Sequence, residues 1–375
     1  MNRKKVVLIL LCFVFLAVFS SFASAETLGF GFVNAGDVAL RKEPGGQKLI
    51  RLQKDDCVWI KGSKTDGSGA LWYNVSASYD DGGTARSRSG WMKAEFIDAG
   101  EKLWHDVSSV KAADYGMMVL RKDGTVDCVC ETGNRDLRSW AAGLRDIRNI
   151  SLSWLGWSFS ALSGSGTFYS EGASETGIRV SPDYGYPYLI TTDNRLMTGE
   201  TTGFTWFWPQ NVGTEQLSHV TAMTGNGYRL LLLTDDGRVY AAGSANDEVF
   251  YSEPDWEKWT DVAGFDAGIV TFTGARPYHY AFTAVRMDGT VLAAPDQLAL
   301  QLSAWQDMKK VSIGYNWILG LKKDGTVVAF APGGTAVPDV SVWAGITDIG
   351  NGGDYLVGVK EDGTLVFAGE HRFSD

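Results

Sequence analysis

Four groups of side chains in this 375-residue chain have the types and spacing to do chemistry. The largest is a set of aromatics at a fixed distance from a recurring turn. Nine residues before turn positions 124, 166, 194, 237, 289, 325 and 363 stand Tyr115, Trp157, Gly185, Tyr228, Tyr280, Asn316 and Asp354. Where that place is not aromatic a neighbour is: Tyr184 and Tyr186, Tyr315 and Trp317, Tyr355. Rings held at one depth can form the hot spots of a protein interface or a stacking platform for sugar. They can equally serve as packing between sheets. A second group, Trp59 and Tyr73 in the amino-terminal part, could line a shallow groove. A third, Asn246 to Glu257, gathers five carboxylates and three aromatics in one loop and suits a basic partner, or is a solvated connector. The fourth is the acids Glu171, Glu175, Asp183 and Glu200, which no turn accounts for and which could form a glycosidase-type carboxylate pair.

Other catalytic chemistry has little to stand on. The four His, at 105, 219, 279 and 371, lack metal-ligand spacing. The chain has no Gly-x-Ser-x-Gly elbow, His-Glu-x-x-His, phosphate loop or Cys-x-x-Cys. A non-catalytic protein without metal or cofactor is expected.

Composition narrows the partners. Residues 1–25 read as a secretory signal peptide: Arg3, Lys4 and Lys5, an apolar run from Val6 to Phe19, then Ala23-Ser24-Ala25. That run falls short of the roughly 20 residues of a spanning helix, so a secreted or cell-surface, wall-associated protein is expected, with no stable membrane insertion after cleavage. Retention as an anchor is the alternative. The mature chain holds 31 basic and 44 acidic side chains, a net charge of −13, which argues against nucleic acid as a partner. Cys57, Cys128 and Cys130 remain, an odd number, read as small buried apolar side chains; a labile disulfide or reactive thiol is the other reading.

The elements that must position these residues are strands. Between 33 and 98, short runs of strand character at Val38–Leu40, 48–53, 57–61, 71–75 and 90–96 alternate with polar turns, which predicts a barrel of about five strands closed around Leu40, Leu49, Val58, Ile60, Trp72, Val75, Trp91 and Ile97. Ten basic and ten acidic residues leave 26–100 neutral, so the negative charge belongs to 101–375 and a boundary falls near Gly100. Val38-Ala39-Leu40-Arg41-Lys42-Glu43-Pro44, Leu52 to Asp56, Leu71-Trp72-Tyr73-Asn74-Val75 and Ser89-Gly90-Trp91-Met92 resemble a bacterial Src-homology-3-like domain. Asp55 replaces a common Gly, and 80–89 looks like an inserted loop. The resemblance implies binding to cell-wall peptide or protein.

From 101 onward a strand, a tight turn and a second strand recur seven times. The turns are Asp123-Gly124, Ser165-Gly166, Asp193-Asn194, Asp236-Gly237, Asp288-Gly289, Asp324-Gly325 and Asp362-Gly363. Asp-Gly is a strong hairpin signal because the second position needs φ > 0, and Asn is the best substitute for Gly there. Units this small cannot bury their own sheets, which predicts a seven-bladed β-propeller. The gap of 28 residues before 194 marks the third unit as irregular. Ahead of the hairpins stand Trp104-His105-Asp106-Val107, Leu144-Arg145-Asp146-Ile147, Trp259-Thr260-Asp261-Val262, Trp305-Gln306-Asp307-Met308 and Ile346-Thr347-Asp348-Ile349. Together with Asp-Gly-Thr-Val these resemble the repeat of the regulator of chromosome condensation family. The resemblance implies an all-β fold and, for exported bacterial relatives, protein binding through a broad face.

The expected protein is therefore an all-β, monomeric, exported binding module. Its barrel (26–100) would associate with the cell wall, and its propeller (101–375) would recognise an extracellular protein or wall component. A lectin-like glycan-binding propeller and a carbohydrate-active enzyme are the alternatives.

Overall fold

The computed structural model describes residues 28–375 apart from 83, 131–133, 153–158, 171–172, 182–187, 201–202, 207–213, 226–229, 243–253, 273–278, 372 and 374–375. The expected signal peptide, the loop 246–253, Trp157, Tyr184, Tyr186, Tyr228, Glu171 and Asp183 lie outside the described residues.

The architecture is predominantly β. Gly29–Val33, Val38–Arg41, Lys48–Leu52, Cys57–Thr65, Leu71–Asp80, Ala85–Lys93 and Ile97–Ala99 form one seven-stranded antiparallel sheet. Leu40, Val58, Ile60, Trp72, Val75 and Ile97 are buried as expected, whereas Leu49 and Trp91 are half-buried. Two features differ from the expectation. Gly29–Val33 is an additional strand, paired with Cys57–Thr65 on one side and Ile97–Ala99 on the other. The segment 80–89 is hairpin rather than inserted loop: Leu71–Asp80 and Ala85–Lys93 pair along nine positions, from Trp72↔Lys93 to Asp80↔Ala85.

The remainder is a series of small antiparallel units. Five are three-stranded, beginning at Val107–Ala113, Val220–Gly225, Val262–Val270, Met308–Ile313 and Ile346–Asn351. Between the first and second of these lies a second seven-stranded sheet. Its central strand, Ala173–Ser181, pairs through Ala173–Thr176 with Thr167–Ser170 and through Gly177–Ser181 with Tyr188–Thr191. One strand thus closes one hairpin repeat and opens the next, which accounts for the short 28-residue gap between turns.

The turns are built by local chemistry. Gly124, Gly166, Gly237, Gly289, Gly325 and Gly363 all have φ between +78° and +90°, and Asn194 has φ +57°. In the Asp-Gly-Thr turns one Asp oxygen accepts from both the N–H and the hydroxyl of the Thr two residues on, as Asp123 does from Thr125 at 2.9 and 2.7 Å. Arg121 N–H bonds Thr125 O and Gly124 N–H bonds Arg121 O, so the loop is a three-residue turn ending in a left-handed Gly, not a two-residue one.

These turns also join neighbouring units. The glycine carbonyl accepts from the first N–H of the next unit: Ile147 on Gly124, Val262 on Gly237, Met308 on Gly289 and Ile346 on Gly325, each at 2.9–3.0 Å. The same bond runs from Val107, in the earliest unit, to Gly363, in the last, at 2.9 Å. Asp106, Asp146, Asp261 and Asp307 precede those first strands with φ between +54° and +58°. In the last unit this place belongs to Gly345, φ +63°, and not to Asp348, which the sequence pattern assigns to it. The backbone confirms the register: Lys122 N–H bonds Asp106 O, Lys323 N–H bonds Asp307 O, and Glu361 N–H bonds Gly345 O.

Candidate functional site

With starts aligned in this way, the first strands share a plan. Each carries a register irregularity just after its first residue, at Val107/Ser109, Ile147/Asn149, Val220/Ala222, Val262/Gly264, Met308/Lys310 and Ile346/Asp348. Two positions after the start stand Ser109, Asn149, Ala222, Gly264, Lys310 and Asp348; four after stand Lys111, Ser151, Thr224, Asp266, Ser312 and Gly350. A single cavity of about 120 Å³ is lined by residues from six of these strands, among them Lys111, Leu152, Thr224, Asp266, Lys310 and Gly350.

Lys310, Asp348 and Asp266 around this cavity bond across units. Lys310 Nζ donates to Asp348 Oδ1 at 2.6 Å and to Ile349 O at 2.9 Å. Asp348 Oδ2 accepts from Ser109 Oγ at 2.9 Å and Val110 N–H at 3.0 Å. Asp266 accepts from Ile313 N–H at 2.8 Å and Ala267 N–H at 3.0 Å. Burial pushes the Asp348 carboxyl up, but Lys310 and the donated hydrogen bonds outweigh it and hold the group below the usual carboxylate range. For Asp266 burial prevails over Lys111 and Lys310 and its carboxyl is raised. Lys111 is lowered by burial, with Lys310 adding to the effect. Lys310, Asp348 and Asp266 thereby link adjacent units. Sequence reading missed it because Asp348 was placed in the wrong register and the lysines fall in ordinary-looking strands. Aligning the strand starts, rather than the turns, reveals it.

One end of the units is braced by a second set of bonds. Thr271 N–H reaches Tyr315 O at 3.2 Å, Asn316 Nδ2 donates to Gly353 O at 3.0 Å, and Tyr355 OH donates to Gly116 O at 2.9 Å. These tie loops of four successive units, the last contact again joining the final unit to the first. Tyr115, Tyr280 and Tyr315 stand at this end half-buried. They are the members of the expected aromatic set that the structure leaves accessible.

Three expected binding residues are corrected. Tyr355 is fully buried, packed edge-on to Phe30 at 5.1 Å and tilted against Trp59 at 5.5 Å. Trp317 is 8% exposed, its Nε1 donating to Ala336 O at 3.0 Å. Trp59 is fully buried and does not line a barrel groove; its ring meets Phe30, Tyr355, Phe367 and His371. Three of these four partners of Trp59, Tyr355, Phe367 and His371, come from the far end of the chain, which is why local sequence could not place it. Tyr73 is half-buried and packs at the margin of the amino-terminal core.

The contact that buries Trp59 fixes the amino-terminal sheet to the first and last units. Trp104 Nε1 donates to Phe30 O at 2.9 Å. Arg138 lies 3.5 Å over the Phe32 ring and reaches Asp55 Oδ1 at 2.9 Å and Asp127 Oδ1 at 3.2 Å. Cys57 and Cys128 are buried, and Cys57 belongs to this core. Among the described residues no group of three or more His, Cys, Asp or Glu is placed to hold a metal, and no helix is long and apolar enough to cross a membrane.

No family model matches the chain, and no curated protein matches it. Among solved structures, the β-propeller domain of Myceliophteria thermophila Cps50 (Swd1) is similar at 13% identity and a TM-score of 0.44, over 71% of this chain and 97% of that one. BamB from Moraxella catarrhalis aligns at 12% identity and 0.38, over 92% and 98%. A structure of Kap60 bound to yeast RCC1 (Prp20) aligns at 10% identity and 0.38, over 70% of each chain. Similarity this slight assigns neither fold nor function.

Proposed function

We propose that 101–375 forms a seven-bladed propeller of the regulator of chromosome condensation repeat type, and that its braced end recognises a protein partner without catalysis. Closure is supported by three independent bonds between the last unit and the first: Val107 to Gly363, Ser109 to Asp348 and Tyr355 to Gly116. The amino-terminal domain, 26–100, is read as a Src-homology-3-like barrel that travels with the ring, the whole chain acting outside the cell and at the wall. Its burial of Trp59 leaves Tyr73 as the expected groove residue for wall attachment.

The observation that carries recognition is the pairing of rigidity with partial exposure. Tyr115, Tyr280 and Tyr315 are half-buried at the end where Thr271, Asn316 and Tyr355 hydrogen-bond from unit to unit. Aromatics on a preorganised surface lose little entropy on binding and make effective anchors. The test is photo-crosslinking from Tyr280 in intact cells, followed by affinity measurement with the purified captured protein. Tyr115→Ala, Tyr280→Ala and Tyr315→Ala are expected to weaken that affinity at least tenfold each while leaving thermal stability unchanged. Capture of polysaccharide alone, or affinity indifferent to all three substitutions, contradicts the reading.

A further inference from the structure

A different surface carries a more specific inference. Outer strands of three units are covered: Val126–Cys130 by the helix Asn134–Gly143, Val239–Ala242 by the turn Trp256–Lys258, and Val291–Ala294 by the helix Asp296–Leu302. The outer strand of the last unit, Leu365–Gly369, touches the amino-terminal strand Gly29–Val33 through the Phe367 ring but has no strand paired on its far side among the described residues. Its register turns alternate backbone groups toward that side. Lys360 N–H bonds Thr364 O and Glu370 N–H bonds Asp354 O, so by the alternation of an antiparallel ladder Val366 and Ala368 bond inward. The N–H and C=O groups of Leu365 and Phe367 therefore point away from the sheet.

Alongside this edge runs an open groove of about 1260 Å³. Its apolar wall includes Val366, Ala368 and two strongly exposed valines, Val337 at 40% and Val342 at 79%. Its charged lining is three carboxylates, Asp339, Asp354 and Glu370, against one ammonium, Lys360. Glu370 pairs with Lys61 and Asp354 meets His371 Nδ1 at 3.2 Å, so Lys360 and Lys61 offset two of the three carboxylates and the lining stays acidic by one charge. Asp339 is held below the usual carboxylate range by the Ser341 hydroxyl and N–H and remains charged.

We propose that this groove takes an extended, basic peptide segment of a partner protein as an added strand on Leu365–Gly369. Backbone pairing with Leu365 and Phe367 supplies register, alternate apolar side chains enter between Val342 and Val366, and a Lys or Arg side chain on the segment meets Asp339. This deepens the protein-binding reading and places one contact on the flank, apart from the tyrosine-bearing end.

The test uses the full chain and a fluorescent ten-residue peptide alternating Lys and Val, with two controls: the Glu/Val counterpart and a Lys/Val peptide N-methylated at alternate amides. The expected result is saturable binding of the Lys/Val peptide, at least tenfold weaker for both controls and for Val342→Asp. Amide exchange at Leu365 and Phe367 slows on binding, and Tyr280→Ala has no effect. Val342 is exposed, so its substitution leaves folding intact; Val337→Asp provides a second variant of the same kind. Absence of binding, equal binding of the N-methylated peptide, or unchanged exchange at Leu365 and Phe367 overturns the proposal. Loss of Lys/Val binding in Tyr280→Ala does so too, because it moves the site to the end face. A result against the flank leaves the end-face reading standing, since that reading depends on Tyr115, Tyr280 and Tyr315.

Discussion

The carboxylate of Asp348 accepts a hydrogen bond from Ser109 Oγ, 2.9 Å away across 239 residues of sequence. The same Oδ2 takes the N–H of Val110, while Oδ1 holds Lys310. One side chain of the last unit therefore joins three partners, two of them in the first.

Removing that group should open the seam. Asp348→Ala leaves Lys310 with only the Ile349 carbonyl and the Val110 N–H without its carboxylate acceptor, and loss of a charged hydrogen-bond partner costs about 1.5–3 kcal/mol. Chemical denaturation should show that loss, and limited proteolysis should show faster cleavage near the seam than for a surface substitution such as Met287→Ala.

The seam should also respond to acid in a defined sense. Asp348 titrates below the ordinary carboxylate value, which lies near 4. Its contribution is therefore complete above that value and disappears as pH falls through its lower folded value. Asp266 is raised by burial, so stability drawn from its protonated form is lost as pH climbs from about 4 through the raised value. Denaturation of wild type and Asp348→Asn against pH should give a difference that is large at pH 7 and shrinks as pH falls below the ordinary carboxylate value. A constant difference contradicts this assignment.

Trp59 should behave as a joint between the amino-terminal sheet and the repeats. Trp59→Ala removes a fully buried ring from the Phe30, Tyr355, Phe367 and His371 cluster, at a cost of about 3–5 kcal/mol. Calorimetry should show one transition separating into two. Tyr355→Phe keeps the ring and removes only the bond to Gly116 O, so its cost should be near 1 kcal/mol.

The turn glycines should differ in tolerance according to their neighbours. At Gly363, φ is +85° and an added Cβ would lie 2.9 Å from Asp106 Cα. At Gly45, φ is +73° with nothing within 4 Å. Gly363→Ala should cost about 2–4 kcal/mol, combining backbone strain with displacement of the adjoining unit, against about 1 kcal/mol for Gly45→Ala, where strain acts alone. Melting temperatures of the two variants test the ordering.

What the sequence made legible follows from the range of the interactions involved. Asp-Gly-Thr turns are decided within five residues, so their positions could be read directly. Asp348 could not, because an Asp three residues after Gly345 looks like the Asp that precedes a strand elsewhere, and only its contact with Ser109 distinguishes it. The shared strand Ala173–Ser181 left a trace as a short gap, but pairing on both sides is a tertiary fact. Trp59, Trp317 and Tyr355 had the composition of a binding surface and were claimed by packing.

The distance between the ends of the repeat series tests the account most directly. Spin labels on the exposed positions Ser108→Cys and Thr347→Cys, in a chain whose four native Cys are replaced by Ala, can be measured by double electron–electron resonance. Neighbouring strands joined through Ser109 and Asp348 predict one narrow distribution below about 25 Å, allowing for strand spacing and label length. An open stack of units about 10 Å apart would place the labels about 60 Å from each other, and that result would contradict closure and remove the braced end on which recognition depends.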